Sequence, residues 1–387
     1  MAKILHLIPD EKVTDNVIEN FEKVFNDNVF FVYGNPNNRK YCKSVGDHII
    51  FGQEELFVKE NINLEVSGII VHGLNHIFAK LILTVDRKIK IGWFAWGYDI
   101  YFLPKLVDRL YASDTYKFLT QRDSKFVLVQ KIKKNQLLRG LYYKLVVKRE
   151  DFYLTYEKAH QRIDYFCSYI KEDYDLFNSV YANKTSFLET GYFSIDQYLA
   201  GQEELRVNIE ASNILIGNSN SPECNHLDVF SLLKENELNQ VKLIVPLNYG
   251  TDISYKNEVL RQGKLAFEDD FLPLLDFMDR AKYFELLSSC STAIFYHYRQ
   301  QAMGNIIAFL YMGGRVYLSK KNPVFHYFNR LGIRVFDLDT EFERYKNQVL
   351  EEDVILHNQT ILKRYFSKDV ILKQSKELVD QLLNVNR

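Results

Sequence analysis

The sequence predicts an α/β protein of two doubly wound parallel-sheet domains facing a cleft. Three observations carry this. Short apolar runs alternate with stretches of helical spacing, as parallel strands joined by crossover helices require. The alternation runs through the first half, turns polar and irregular around Ser194–Arg206, and restarts at Asn213. The chain has 387 residues, too many for one ordinary core and enough for two domains of ~150–200 residues.

The elements follow in order. Lys3–Ile8 is a short apolar run suited to a buried strand. Thr14–Phe25 sets Val17, Ile18, Phe21, Val24 and Phe25 at helical spacing. Val29–Tyr33, Ile49–Phe51 and Gly68–Val71 are further strands, Gly73–Val85 a helix, Ile89–Phe94 a strand. Ile163–Ile170 is another strand, and Lys171 opens a helix. After the break come a strand at Asn213–Ile216, a loop at Gly217–Pro222, and a helix from Asn225 to Lys234. Val241–Pro246 is a strand, Phe277–Ser289 a helix and Ala293–Tyr296 a strand. Gln301–Met312 is a helix closed by Gly313-Gly314, a pair suited to a C-cap. Arg315–Leu318 and Val335–Phe336 are the last strands, and helices follow. The expected domains are 1–200, with a basic-aromatic insertion at about 104–150, and 207–387, ending in helices.

Composition narrows the function. Hydrophobic residues make up 47%, which excludes disorder. A net charge of -1 gives no global field to select nucleic acid, so no nucleic-acid partner is expected. Cys42, Cys167, Cys224 and Cys290 show no zinc spacing and no disulfide framework, which fits a reducing cytoplasm. The opening MAKILHLIPD has no cleavable-signal pattern, and no run of ~18 apolar residues could span a bilayer.

Five segments could carry chemistry. Gly217-Asn218-Ser219 follows a strand and precedes a helix, so its N–H groups could meet an anion; it also reads as an ordinary turn with Ser221 as cap. Arg299, with Gln300, Gln301 and Gly304, opens a helix and could cradle a diphosphate, or be a surface arginine. Trp96-Gly-Tyr-Asp99-Ile-Tyr101 offers a stacking face and a base, or a packed Trp with a capping Asp. His72-Gly73 ends a strand; such a histidine is more often structural. Residues 121–149 carry Arg122, Lys125, Lys131, Lys133, Lys134, Arg139, Lys144, Lys148 and Arg149 against one acid, Asp123, with apolar residues interleaved. That pattern suits an anionic membrane surface, a solvated helical face or, least well, nucleic acid. Asp173-Tyr-Asp175 and Asp337-Leu-Asp339 match a metal-binding triplet by letter; a helix start and a turn explain them as well.

At these segments the chain resembles the bacterial Fuc4NAc (4-acetamido-4,6-dideoxygalactose) transferase family. The residues that carry the resemblance are Ile214-Leu-Ile-Gly-Asn-Ser219 with Asn225-His226, Val245-Pro246, Tyr249-Gly250, Arg299-Gln300-Gln301 with Gly304, and Lys321-Asn-Pro323. His72-Gly73 and Trp96–Tyr101 belong to the same pattern, while 121–149 and the loop after Ile8 depart from it. The resemblance implies a GT-B fold, inversion at the anomeric carbon, no cofactor and no catalytic metal. It also implies peripheral attachment to the inner face of the cell membrane, a dTDP-sugar donor and a polyprenyl-diphosphate-linked glycan acceptor. On this reading Gly217, Asn218, Ser219, Asn248, Tyr249, Arg299, Gln300, Gln301 and Gly304 bind the donor. Trp96 and Tyr101 contact the acceptor. The general base is Asp99, His72 or Asp15, in that order. Lys131, Lys133, Lys134 and Arg139 face the membrane. Two rivals remain: a GT-B transferase using a UDP-sugar for capsule or exopolysaccharide, and a non-catalytic nucleotide- or sugar-binding protein.

Overall fold

The computed structural model describes residues 2–53, 65–181, 183–199, 201–236 and 241–384. It divides into two compact units. The first comprises Met1–Val107, Lys131–Gln197 and Phe366–Arg387, the second Asp108–Gln130 and Tyr198–Tyr365.

Among the described residues the first unit is built on seven strands: β1 (Ile4–Pro9), β2 (Asn28–Tyr33), β3 (Ile49–Gly52), β4 (Gly68–His72), β5 (Lys90–Phe94), β6 (Tyr165–Ser168) and β7 (Ser186–Glu189). Their order is β3-β2-β1-β4-β5-β6-β7, with every pair parallel. Ile4 of β1 lies opposite Asn28 on one side and Gly68 on the other. The order runs outward in both directions from β1 and β4, so the chain reverses its winding between them. In such a sheet the crevice beyond the carboxyl ends at the reversal is the natural ligand site.

The second unit repeats the plan with β8 (Asn213–Ile216), β9 (Leu243–Pro246), β10 (Phe271–Leu274), β11 (Cys290–Phe295), β12 (Arg315–Leu318) and β13 (Phe336–Asp337). The order is β10-β9-β8-β11-β12-β13, again parallel, with the reversal between β8 and β11. Central strands β8, β9, β11 and β12 are buried almost throughout, which explains their largely apolar sequences. The helix Met303–Tyr311 ends as its glycine pair demands. Gly313 has φ +94°, and Gly314 N–H donates to the Phe309 carbonyl at 2.9 Å.

Two features differ from the expected domain limits. The last helix, Lys368–Leu383, belongs to the first unit. Its Leu378, Val379 and Leu382 join Ile4, Ile70, Phe94 and the helix Thr14–Val24 in one core. The sheet makes room with glycines: a Cβ on Gly68 would lie 2.9 Å from Leu382 Cβ. The basic insertion is also divided, with 108–130 in the second unit. There Asp228 accepts hydrogen bonds from Asp114 N–H at 2.7 Å and Thr115 N–H at 3.0 Å. Strands β7 and β10 and the helix Ile253–Phe267 add to the elements that periodicity predicts.

Leu378 is fully buried against the first sheet. Leu378→Ala is expected to cost about 2–5 kcal/mol, read as a fall in denaturant midpoint. An unchanged midpoint would mean that the last helix adds nothing to that core.

Candidate active site

In each sheet the candidate residues cluster towards the carboxyl edge. At the reversal of the first sheet, β1 runs into Asp10-Glu11 and β4 into His72-Gly73. Gly73 has φ +72°, and a Cβ there would lie 2.7 Å from the Tyr98 hydroxyl and 3.1 Å from the Trp96 ring. Only glycine fits that turn.

Beneath this edge His72 is fully buried. Its Nε2 is 3.0 Å from His6 Nδ1, and its Nδ1 is 2.6 Å from the Tyr192 hydroxyl. His6 Nε2 is 3.0 Å from Asn28 Oδ1. Asn28 Nδ2 donates to the carbonyls of Phe21 at 3.0 Å and Phe25 at 2.6 Å, which fixes the amide with Oδ1 as acceptor. The directions then follow along the row. His6 donates from Nε2 to Asn28, His72 donates from Nε2 to His6 Nδ1, and Tyr192 donates to His72 Nδ1. Both rings are neutral. Burial pushes His6 down to about 3 and holds His72 well below its ordinary value, helped by His6. His72 is therefore a core strut, not a base within reach of an acceptor.

Asp99 is corrected for the same reason. It is fully buried, and Oδ2 accepts from Leu74 N–H at 2.8 Å and Trp93 Nε1 at 2.7 Å. Oδ1 accepts from Trp96 N–H at 2.9 Å. Burial raises its pKa to about 6 against the pull of these donors. It shapes the Gly73 and Trp96 turns from below. Asp15 is occupied as well: it accepts from Lys43 N–H, Ser44 N–H and the Ser44 hydroxyl at 2.7–3.0 Å. Burial would raise its carboxyl, but these bonds bring it below its ordinary value. Tyr101 is buried and donates to Asp173 at 2.6 Å, so it is no acceptor contact. Trp96 remains half-buried at the edge, packed edge-on against Tyr98 and Tyr192.

In the second sheet the reversal lies between Gly217, after β8, and Tyr296–Gln301, after β11. Gln301 Nε2 donates to Asn218 Oδ1 at 2.9 Å and lies 3.4 Å from Cys224 Sγ. His297 Nε2 and Ser219 Oγ lie 3.4 and 3.5 Å from the same sulfur. Cys224 is buried, which pushes its thiol up. Thus Asn218, Ser219 and Gln301 come together around one thiol that sequence reading missed. Gly217 has φ +67°, and a Cβ would lie 2.7 Å from His226 Nε2. The helix Met303–Tyr311 starts from Ala302 at φ +60°, a strained conformation for a non-glycine residue. Half-buried Arg299 stands three residues before it, donating to the Gln300 carbonyl at 3.1 Å.

Polar atoms without protein partners gather here. His226 Nδ1 and Nε2, His297 Nδ1, Asn220 Oδ1, Gln300 Oε1 and Gln301 Oε1 are buried and unmatched. Native proteins leave few such atoms unsatisfied, and water or a polar ligand usually meets them. Lys321, beyond β12, stacks over Tyr298 at 4.5 Å. Asn248 and Tyr249 are exposed at the end of β9. The Tyr249 carbonyl accepts from Asn220 N–H at 2.7 Å, tying that loop to the site.

The acidic triplets have internal partners. Asp175 pairs with Lys171, Asp337 accepts from Thr340, and Asp339 accepts from Tyr296. Among the described residues no three His, Cys, Asp or Glu side chains are grouped to hold a metal.

The basic segment forms the helices Phe126–Lys134 and Gln136–Tyr142 and a π-helical turn, Tyr143–Val147. Leu137, Leu138, Leu141, Leu145 and Val146 are all more than half exposed. Exposed Lys131, Lys134, Lys144, Lys148 and Arg149 surround them in sequence. Arg139 is not among these. It is 2% exposed and paired with Asp151 at 2.7 Å and Glu157 at 2.9 Å. Lys133 is half-buried over the Tyr153 ring, and burial lowers its pKa. Among the described residues no helix is long and apolar enough to cross a membrane.

Two parallel α/β units with their loops at the carboxyl edges define the GT-B class of glycosyltransferase. Solved structures share this fold over nearly their whole length. An E. coli structure described as trehalose-6-phosphate bound with UDP-2-fluoro glucose aligns with TM-score 0.63 at 12% identity, covering 98% of this chain and 99% of that one. Sucrose-phosphate synthase from Thermosynechococcus elongatus gives 0.62 at 10%, covering 99% and 100%. Anabaena HepE in complex with UDP and glucose gives 0.60 at 13%, covering 98% and 100%. The particular family is set by sequence: residues 146–348 match the 4-alpha-L-fucosyltransferase family, glycosyl transferase group 56, and the chain belongs to it. It is a glycosyltransferase.

Five buried histidines make stability depend on pH. Burial pushes His6, His160 and His226 down to about 3, and His72 and His297 well below 6.5. The unfolded chain therefore binds more protons below pH 6.5, and stability falls with pH there. Asp99, raised from 3.8 to about 6, acts oppositely: its contribution is present below pH 3.8 and lost as pH rises through 6. The histidines outnumber it. The melting temperature is expected to be level from about pH 8 to 7 and to fall steadily below ~6.5, each histidine costing up to ~1.4 kcal/mol per pH unit. A melting temperature constant down to pH 4.5 would contradict the neutral histidine core.

Proposed function

We propose that this glycosyltransferase moves a Fuc4NAc-like deoxy-amino sugar from a dTDP-sugar to a polyprenyl-diphosphate-linked oligosaccharide. It acts with inversion, without a catalytic metal, on the cytoplasmic face of the membrane in surface polysaccharide synthesis. One observation carries the donor half: unmatched buried polar atoms, a strained helix start and Arg299 converge where the second sheet reverses its winding. A nucleoside diphosphate gains charge as the glycosidic bond breaks, and fixed donors must meet that charge. Arg299 supplies a bidentate fork, and the N-terminus of Met303–Tyr311 adds partial positive charge. On this reading Gly217, Asn218, Ser219, Gln300, Gln301 and Gly304 bind the donor, and exposed Asn248 and Tyr249 suit contact with base or ribose. The E. coli and Anabaena structures, with UDP-2-fluoro glucose and with UDP and glucose, support a nucleotide-sugar donor. Family membership supports the deoxy sugar. Trp96 offers a stacking face for the acceptor at the edge of the first sheet.

The leucine-lysine edge at 131–149 supports membrane attachment. Leucines enter the interface while lysines meet anionic head groups. Arg139 and Lys133 have no part in that contact.

Arg299→Ala is expected to weaken dTDP and UDP binding by about tenfold or more, the worth of one charge-assisted bond, with an unchanged melting curve; Arg299→Lys should recover only part. Calorimetry with both diphosphates measures this and ranks dTDP against UDP. Undiminished affinity in folded Arg299→Ala would move the diphosphate elsewhere.

Vesicle pelleting tests the membrane edge. Replacing Lys131, Lys144 and Lys148 with Gln should weaken binding to anionic vesicles by about 1 kcal/mol per charge and leave neutral vesicles unaffected. Leu141→Glu with Leu145→Glu should weaken both. Pelleting that none of these changes alters would return the segment to a solvated face.

A further inference from the structure

The first sheet holds several acid or imidazole groups at its winding reversal, and nearly all are consumed. Asp10 accepts from three successive backbone N–H groups, those of Lys40 at 2.6 Å, Tyr41 at 3.0 Å and Cys42 at 2.8 Å. Asp15 takes the next two, from Lys43 and Ser44. The two carboxylates thus clamp five consecutive amides and fix the loop after β2. Asp99 is buried under three donors, and His6 and His72 are locked in the neutral row.

Glu11 differs from all of these. It directly follows Asp10 beyond the end of β1, the strand that flanks the reversal, and it is exposed. Its backbone is held from both sides: Glu11 N–H donates to the Thr14 hydroxyl at 3.1 Å, and its carbonyl accepts from Thr14 N–H at 3.0 Å. Asp10 and Lys12 flank it in sequence, and Glu11 interacts electrostatically with Lys40, in the clamped loop, and with Tyr98, beyond β5. Tyr98 and Trp96 crowd Gly73, so Glu11 shares its edge with the ring offered to the acceptor.

We infer that Glu11 is the general base that takes the proton from the acceptor hydroxyl. The inference rests on the inverting reading above. The carboxylate accepts the hydroxyl proton as the acceptor oxygen bonds to the anomeric carbon. The bond from that carbon to the diphosphate oxygen breaks, and its electron pair leaves with the nucleoside diphosphate. Glu11, exposed, then returns the proton to water. Shielding of its carboxyl raises its pKa above the ordinary value; Lys40 opposes this and Asp10 adds to it. A base raised in this way is better matched to neutral pH.

The test compares wild type with Glu11→Gln and Glu11→Asp, with product configuration read by NMR. Glu11→Gln should lower turnover by ~10²–10⁴ at unchanged donor affinity and unchanged melting temperature. Glu11→Asp should recover part. The acid limb of the wild-type pH–rate profile, where turnover falls as the base is protonated, should be absent from the residual activity of Glu11→Gln. Near-normal turnover in folded Glu11→Gln, or a loss explained by weakened donor binding or by unfolding, overturns the assignment. A product of retained configuration from wild type overturns the inverting reading instead, whatever Glu11→Gln does.

Discussion

All strands of each sheet run the same way, and the placement of the candidate site residues depends on that. Parallel pairing puts every strand's carboxyl end on one edge, so every loop that can meet a ligand leaves from that edge. Where the strand order reverses, neighbouring chains depart to opposite faces and a crevice opens between them. Gly73 and Gly217 sit at these two reversals, both with positive φ and with side chains pressed against the space a Cβ would fill. The turns are tight because the strands must end abruptly and still leave their last amides facing the crevice.

The two edges handle buried polarity differently. Under the first, the row Tyr192–His72–His6–Asn28 is satisfied from end to end and closes on two backbone carbonyls. Such a fully matched row is rigid, and it sets the floor beneath Trp96. Under the second, Cys224 gathers Asn218, Ser219, His297 and Gln301, yet several neighbouring nitrogens and oxygens go unmatched. The first edge thus rests on a fully paired polar row, while the second keeps polar atoms that pair with no protein group.

The basic segment separates two roles that composition merges. Arg139 is paired with Asp151 and Glu157 inside the fold, where its buried charge needs partners. The exposed lysines lie on the surface of the same segment, outside that buried cluster. Exposed leucines beside them are costly in water, and contact with an apolar interface relieves that cost.

The sequence by itself determined the two parallel sheets. Central strands such as Asn213–Ile216 and Arg315–Leu318 are buried on both faces and so read as apolar runs. The same runs made the loops at Gly217 and Arg299 legible as candidate sites, because each follows directly after a buried strand. Edge strands β7 and β10 escaped notice: β7 is half-exposed, and β10 carries a proline and follows Glu268-Asp-Asp270, so neither shows a sustained period. The tertiary structure alone decided which polar residues are accessible. Asp99 meets Leu74, His72 meets His6 and Tyr192, and Tyr101 meets Asp173, all across separations that local pattern does not encode. It likewise joined the last helix to the first sheet, since an amphipathic helix specifies that it must bury one face but not which face of the fold receives it. Periodicity records whether a residue is inside; only long-range packing records what it is inside with.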